Sequence, residues 1–174
     1  ARDAEGTPVP PPAVFERAVE EADMVVLDRL CRALHVRNFT AQDHDPCWLF
    51  LNVTPQVVVG GPKYSSFFAG LLDRLDLPPE RVVIEIVESA ILDEDALAEA
   101  VTYYKDLGCL IAIDDFGVGF SNFHRIWRIE PDIVKFDRSM TRDAPRNPKV
   151  RRSLPTLVSL LHEAGVEIVM LTGD

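Results

Sequence analysis

Short apolar runs at Val82–Val87, Cys109–Asp114, Ile133–Phe136 and Val166–Leu171 are separated by stretches of helical spacing, and this alternation restricts the fold more than any other feature. Runs apolar at consecutive positions suit strands covered on both faces, as in parallel sheets with helices outside. An earlier run, Trp48–Val53, ends in Asn52-Val53-Thr54-Pro55, where proline discourages continuation of a strand. Helical spacing is expected at Ser65–Leu75, from about Asp93 to Leu107 with Gly108 as its terminator, around Ser121–Arg128, and from Pro148 to Ala164. Leu97, Ala100, Val101, Tyr104 and Leu107 share one stripe of the second of these. The stretch Ala13–Leu34 also reads as helical, with Val14, Ala18, Ala22, Val26, Leu27, Leu30 and Leu34 expected to pack inward and Asp23 as a cap between two helices. Residues 1–12, polar and then proline-rich, read as a linker-like segment within the domain, leaving 13–174 as its body.

Strand–helix repetition implies parallel strands joined by right-handed crossovers, in a barrel or an open sheet. The polar residues discriminate between the two. Asn52, Glu88, Asp114 with Asp115, and Asp137 all fall at or just beyond the C-terminal ends of successive strands. A TIM-type (β/α)8 barrel builds its site from several strand ends on that face, whereas a doubly wound sheet concentrates its site at one crevice. The expected fold is therefore α/β, of the TIM-barrel kind.

With 174 residues, 47% of them hydrophobic, the chain can bury one sizeable core and amounts to one domain or a piece of one. Its net charge of −10 argues against nucleic acid polymers as partners, and the one basic stretch, Arg142–Arg152, reads as a solvated loop and helix start. Cys31, Cys47 and Cys109 are odd in number and read as reduced thiols, and His44 near Cys47 is not read as a metal site. No stretch approaches the ~20 apolar residues of a membrane span. A soluble, cytoplasmic domain without membrane contact is expected.

The costly residues lie on the strands. Glu85 sits inside Val82-Val83-Ile84-Glu85-Ile86-Val87, where an ionised carboxylate must be paired or ligated. Lys135 and Asp137, spaced i, i+2, project from one face opposite Val134 and Phe136, and Lys135 is the natural partner if Glu85 is merely ion-paired. Asp114 and Asp115 precede Gly117 and Gly119, which permit a tight turn beside a ligand. Alone, the acidic pair reads equally as a helix cap with a solvated neighbour or as a metal site. Taken with Asn52, Glu85 and Lys135, it forms the inventory of one or two oxygen-ligated divalent cations over a phosphate, with Lys135 offsetting phosphate charge or orienting a water. No histidine stands at a strand end to serve a serine or cysteine nucleophile.

The ordered set Asn52-Val53-Thr54, Glu85-Ile86-Val87-Glu88-Ser89, Asp114-Asp115-Phe116-Gly117-Val118-Gly119 and Lys135-Phe136-Asp137 resembles the EAL family, whose members hydrolyse or sense cyclic di-GMP in bacterial second-messenger signalling. The resemblance implies a modified TIM barrel, Mg2+ or Mn2+ dependence, and cleavage of one phosphodiester to linear pGpG; calcium, with its larger and looser coordination, is expected to bind the same oxygens and inhibit. The resemblance further implies Asn52, Glu85, Asp114 and Asp115 as metal ligands, Glu88 as the residue holding the loop after Asp115, and Lys135 and Asp137 as the pair serving the attacking water or a second metal. A homodimer and an N-terminal sensor or GGDEF module are implied as partners. The chain departs from the family pattern at both ends. Ala1-Arg2-Asp3-Ala4-Glu5-Gly6 is similar to the segment that follows the Glu-Ala-Leu signature, so the first strand and one ligand are expected to be missing. Leu171-Thr172-Gly173-Asp174 stands where the family has Ala-Glu-Gly-Val-Glu, so Thr172 replaces a Glu and the last barrel elements are expected to be absent. Two readings follow: a phosphodiesterase when intact, these residues alone being inactive, or a degenerate domain that binds cyclic di-GMP or a protein without turnover.

Overall fold

A computed structural model describes residues 2, 4–16, 21–42, 46–53, 65–87, 94–117 and 123–171. In chain order the elements are α1 (Pro11–Phe15), α2 (Glu21–Thr40), β1 (Leu49–Asn52), α3 (Ser65–Arg74), a 3-10 turn at Pro79–Arg81, β2 (Val82–Val87), α4 (Glu94–Asp106) and β3 (Leu110–Phe116). They continue as α5 (Phe123–Ile129), β4 (Ile133–Phe136), α6 (Arg138–Asp143), α7 (Pro148–Glu163) and β5 (Ile168–Leu171). The strands form one parallel sheet in the order β1-β2-β3-β4-β5. Each strand pairs with its neighbour in sequence and the order never reverses, which is the barrel pattern rather than the doubly wound one.

The sheet has two apolar faces, which is why the strands read as continuous apolar runs. Leu51, Val82, Ile84, Ile86, Ile111, Ile113, Val134 and Phe136 pack with helix residues such as Leu72, Leu97, Val101, Ile126 and Leu161. On the opposite face Val83, Ala112 and Ile133 form a smaller cluster with Phe50, Leu110, Ile168 and Met170. By the two-residue period, Asn52, Glu85, Asp114 and Lys135 continue this second face toward the strand ends. It is apolar at one end and charged at the other.

Most element boundaries fall within two residues of expectation. Helix α1 begins at Pro11 rather than near Ala13, because proline's fixed φ suits a first helical turn. The cap expected at Asp23 lies within α2, which starts at Glu21 and runs to Thr40. Strand β3 continues past Asp114 to Phe116, so both aspartates belong to the strand. Cys109, just before β3, is buried, and burial pushes its thiol up to about 12.

The inward stripe expected on α2 is overturned. Val26 and Leu30 are 64% and 55% exposed, whereas Asp28 and Arg32 are each 3% exposed. The buried charges are paired, although Arg32 Nε makes no hydrogen bond among the described residues: Arg32 lies 2.6 Å from Asp28, donates to Tyr104 Oη at 2.9 Å and lies over the Phe68 ring, 5.4 Å from its centre. Removing one partner of such a pair leaves a buried, uncompensated charge. Arg32→Ala is expected to cost about 3–5 kcal/mol, and Tyr104→Phe about 1 kcal/mol, in urea unfolding followed by circular dichroism. A loss for Arg32→Ala no larger than that for Tyr104→Phe would show that the pair carries no such weight.

Candidate metal and phosphate site

The site rests on four adjacent strands. Asn52 at the end of β1 lies beside Glu85 of β2, and its Nδ2 donates to Glu85 Oε2 at 3.0 Å. Lys135 of β4 reaches across β3: its Nζ lies 2.5 Å from Glu85 Oε1 and 3.0 Å from Asp114 Oδ1. The ion pair offered as the structural alternative for Glu85 is therefore present, and it is joined by an amide and a second carboxylate. Glu85 is buried, while Lys135 and Asp114 are partly so. Burial alone would push the Lys135 ammonium down. Hydrogen bonds and Coulombic attraction from Glu85 and Asp114 outweigh that and raise it, so Lys135 stays protonated at neutral pH.

A bulge sets two consecutive carboxylates opposite one residue of β4. Ile113 pairs with Val134 and Phe116 with Phe136, so Asp114 and Asp115 together oppose the single residue Lys135. In a regular strand the two side chains would point to opposite faces. Here Asp115 adopts φ +57°, a left-handed conformation that aspartate tolerates better than most residues, and its N–H donates to Asp114 Oδ1 at 3.0 Å. Gly117, at φ +103°, completes the turn. Desolvation, with repulsion from Asp114 and Asp137, raises the Asp115 carboxyl despite attraction to Lys135.

Asp137 directly follows β4 and caps α6, its Oδ1 accepting the Ser139 N–H at 2.7 Å. That bond holds its carboxyl below the usual range, so it is ionised at neutral pH. Sequence reasoning did not anticipate this cap or α6. The signal was Asp137-Arg138-Ser139, an N-cap residue directly after a strand. Glu88 and Thr172 lie outside the described residues, as do His44 and Gly119.

Glu85 and Asp114 bring two carboxylates onto one ammonium, Lys135, and a third, Asp115, stands next to Asp114, raised by desolvation first and then by repulsion from Asp114 and Asp137. Hard oxygen donors with surplus negative charge fit a divalent cation such as magnesium or manganese. Among the described residues no three His, Cys, Asp or Glu side chains are drawn together as a closed cage, because Lys135 stands between Glu85 and Asp114.

A sequential parallel α/β sheet with a charged cluster at its C-terminal strand ends is the arrangement of a TIM-like barrel protein. A family-wide sequence model for the EAL domain matches residues 2–172, and the chain belongs to that family. Cyclic di-GMP phosphodiesterase RocR of Pseudomonas aeruginosa is 28% identical over 166 residues, 92% of this chain and 42% of RocR. The chain spans less than half the length of curated relatives it matches, from 13% to 42% for three of them. BlrP1 of Klebsiella pneumoniae, solved as a manganese and cyclic di-GMP complex, superposes with a TM-score of 0.83 at 24% identity, covering 97% of this chain and 43% of that one. A cyclic di-GMP-bound EAL protein of Vibrio cholerae gives a TM-score of 0.80 at 22% identity, covering 96% and 69% respectively. These likenesses fix the fold as the TIM-like barrel of EAL domains. No helix of the described residues is long and apolar enough to cross a membrane.

Because the Asp115 carboxyl is raised, the native chain holds a proton that the unfolded chain releases first. This group therefore subtracts stability as pH climbs from the ordinary aspartate range through its raised value. Asp115→Asn keeps the left-handed backbone accessible and removes the charge. In EDTA it is expected to melt above the wild type at neutral pH, the gap closing at pH below the ordinary aspartate range. Asp115→Ala, lacking that tolerance, is expected to be about 1 kcal/mol less stable than the Asn variant. Equal gaps at both pH values, by differential scanning fluorimetry, would contradict the crowding of charge at this bulge.

Proposed function

We propose that this domain, within its full-length protein, is a cyclic di-GMP phosphodiesterase that opens one phosphodiester to give linear pGpG. The observation that carries this reading is the convergence of Asn52, Glu85, Asp114 and Lys135 at four neighbouring strand ends, with Asp115 next to Asp114 at the bulge opposite Lys135. Membership of the EAL family and the activity named for RocR support it. Asn52, Glu85, Asp114 and Asp115 are the residues that would hold Mg2+ or Mn2+. One or two such cations, when bound, supply a more acidic water and neutralise charge on the phosphate.

The chain's own groups have separable tasks. Lys135, protonated and anchored on two carboxylates, offers a fixed positive charge to a phosphate oxygen or to the attacking water. Asp137, ionised and held by its cap to Ser139, can accept a hydrogen bond from that water but is a weak base. Asn52 holds Glu85 Oε2 while Lys135 holds Oε1, so the Glu85 carboxylate has one orientation. Glu88 is proposed to steady the loop after Asp115.

In the full-length protein, cyclic di-GMP hydrolysis is expected with Mg2+ or Mn2+ and to stop on EDTA addition. Asp114→Asn is expected to lower the rate by more than about a hundredfold, beyond the loss typical of residues that merely support a metal ligand. Product analysis by liquid chromatography checks both. Tight binding of cyclic di-GMP without any pGpG over hours would sink the enzymatic reading.

A further inference from the structure

Resting on the metal-site reading, we propose that Met140 is a positioning residue: its thioether, packed against Gly117, holds the Asp114–Asp115 bulge in the arrangement that presents both carboxylates to a cation. A left-handed non-glycine residue persists only where its surroundings over-determine it. Asp115, at φ +57°, needs such constraints on both sides. Upstream, Asp114 is held by Lys135 at 3.0 Å. Downstream, Phe116 is 2% exposed, its carbonyl accepts the Asp137 N–H at 3.0 Å, and its ring packs 5.6 Å from Phe123 and 5.8 Å from Phe136.

Gly117 is the next residue, and Met140 secures it. A Cβ at Gly117 would run into Met140 Sδ, so the thioether occupies the space beside that α-carbon. Met140 is in turn fixed relative to β4. Its N–H donates to the Asp137 carbonyl at 3.0 Å, in the helix that the Asp137 side chain caps, and its side chain packs against the main core. One short helix thus ties the end of β4, which carries Lys135 and is followed by Asp137, to the turn that shapes Asp115. Shortening Met140 opens a gap above Gly117, lets the turn relax and loosens the oxygen donors. Ligands held less tightly by their supports bind metal more weakly.

The test is a Mn2+ titration by isothermal calorimetry on the full-length protein and its Met140→Ala, Met140→Val and Met140→Leu variants, with hydrogen exchange at the Gly117 amide in the metal-free state. Met140→Ala is expected to weaken Mn2+ binding about tenfold and to speed that exchange. Met140→Val should fall between, and Met140→Leu, which refills the space, should restore both readouts. If the wild type binds Mn2+ and the folded variants bind it equally, the role of Met140 is overturned while the metal site stands. If the wild type binds no Mn2+, the metal reading fails and this one with it. Should the alanine variant not fold, the valine and leucine pair decides by the same criterion.

Discussion

The site depends on one ammonium group, Lys135 held between Glu85 and Asp114. Those three side chains come from three adjacent parallel strands, on a sheet face that is otherwise Val83, Ala112, Ile133 and their apolar neighbours. Two carboxylates and an amine at the end of such a face tolerate burial only as a paired set. Asn52 completes the set by binding the Glu85 oxygen that Lys135 leaves. The same contacts that neutralise these charges also fix the orientation of each, which is what a metal or phosphate site requires.

Asp115 is the exception, in its left-handed backbone and in having its carboxyl raised. The bulge at Asp114–Asp115 sets two residues against Lys135, so a third carboxylate stands next to Asp114. Its raised carboxyl and left-handed φ are two expressions of one arrangement, in which geometry has been arranged at the expense of local comfort. Phe116 and the Asp137-capped helix lie directly against this turn and contribute no charge to the ligand set.

Legibility in the sequence varied with the kind of question. Apolar runs at consecutive positions marked all five strands, because burial on both faces leaves no alternative reading of Val82–Val87 or Ile133–Phe136. The two-residue period placed Glu85 with Val83 and Lys135 opposite Val134, and the packing agrees. Helix α2 misled for a physical reason: its apolar residues Val26, Leu30 and Leu34 form a good stripe, yet Arg32 finds Asp28, Tyr104 and Phe68 on the other side. Periodicity identifies a stripe but carries no information about partners distant in sequence.

The sequence by itself determined the parallel α/β class, the family, and which carboxylates and lysine stand at strand ends, since these follow from local patterning and residue chemistry. Tertiary structure alone decided the sequential strand order, the sharing of Lys135 between Glu85 and Asp114, and the bulge that turns Asp115 beside Asp114. Each of these is a relation between segments far apart in the chain. Register and ion pairing are settled by contacts across strands, and a local pattern records only that a residue is able to make them.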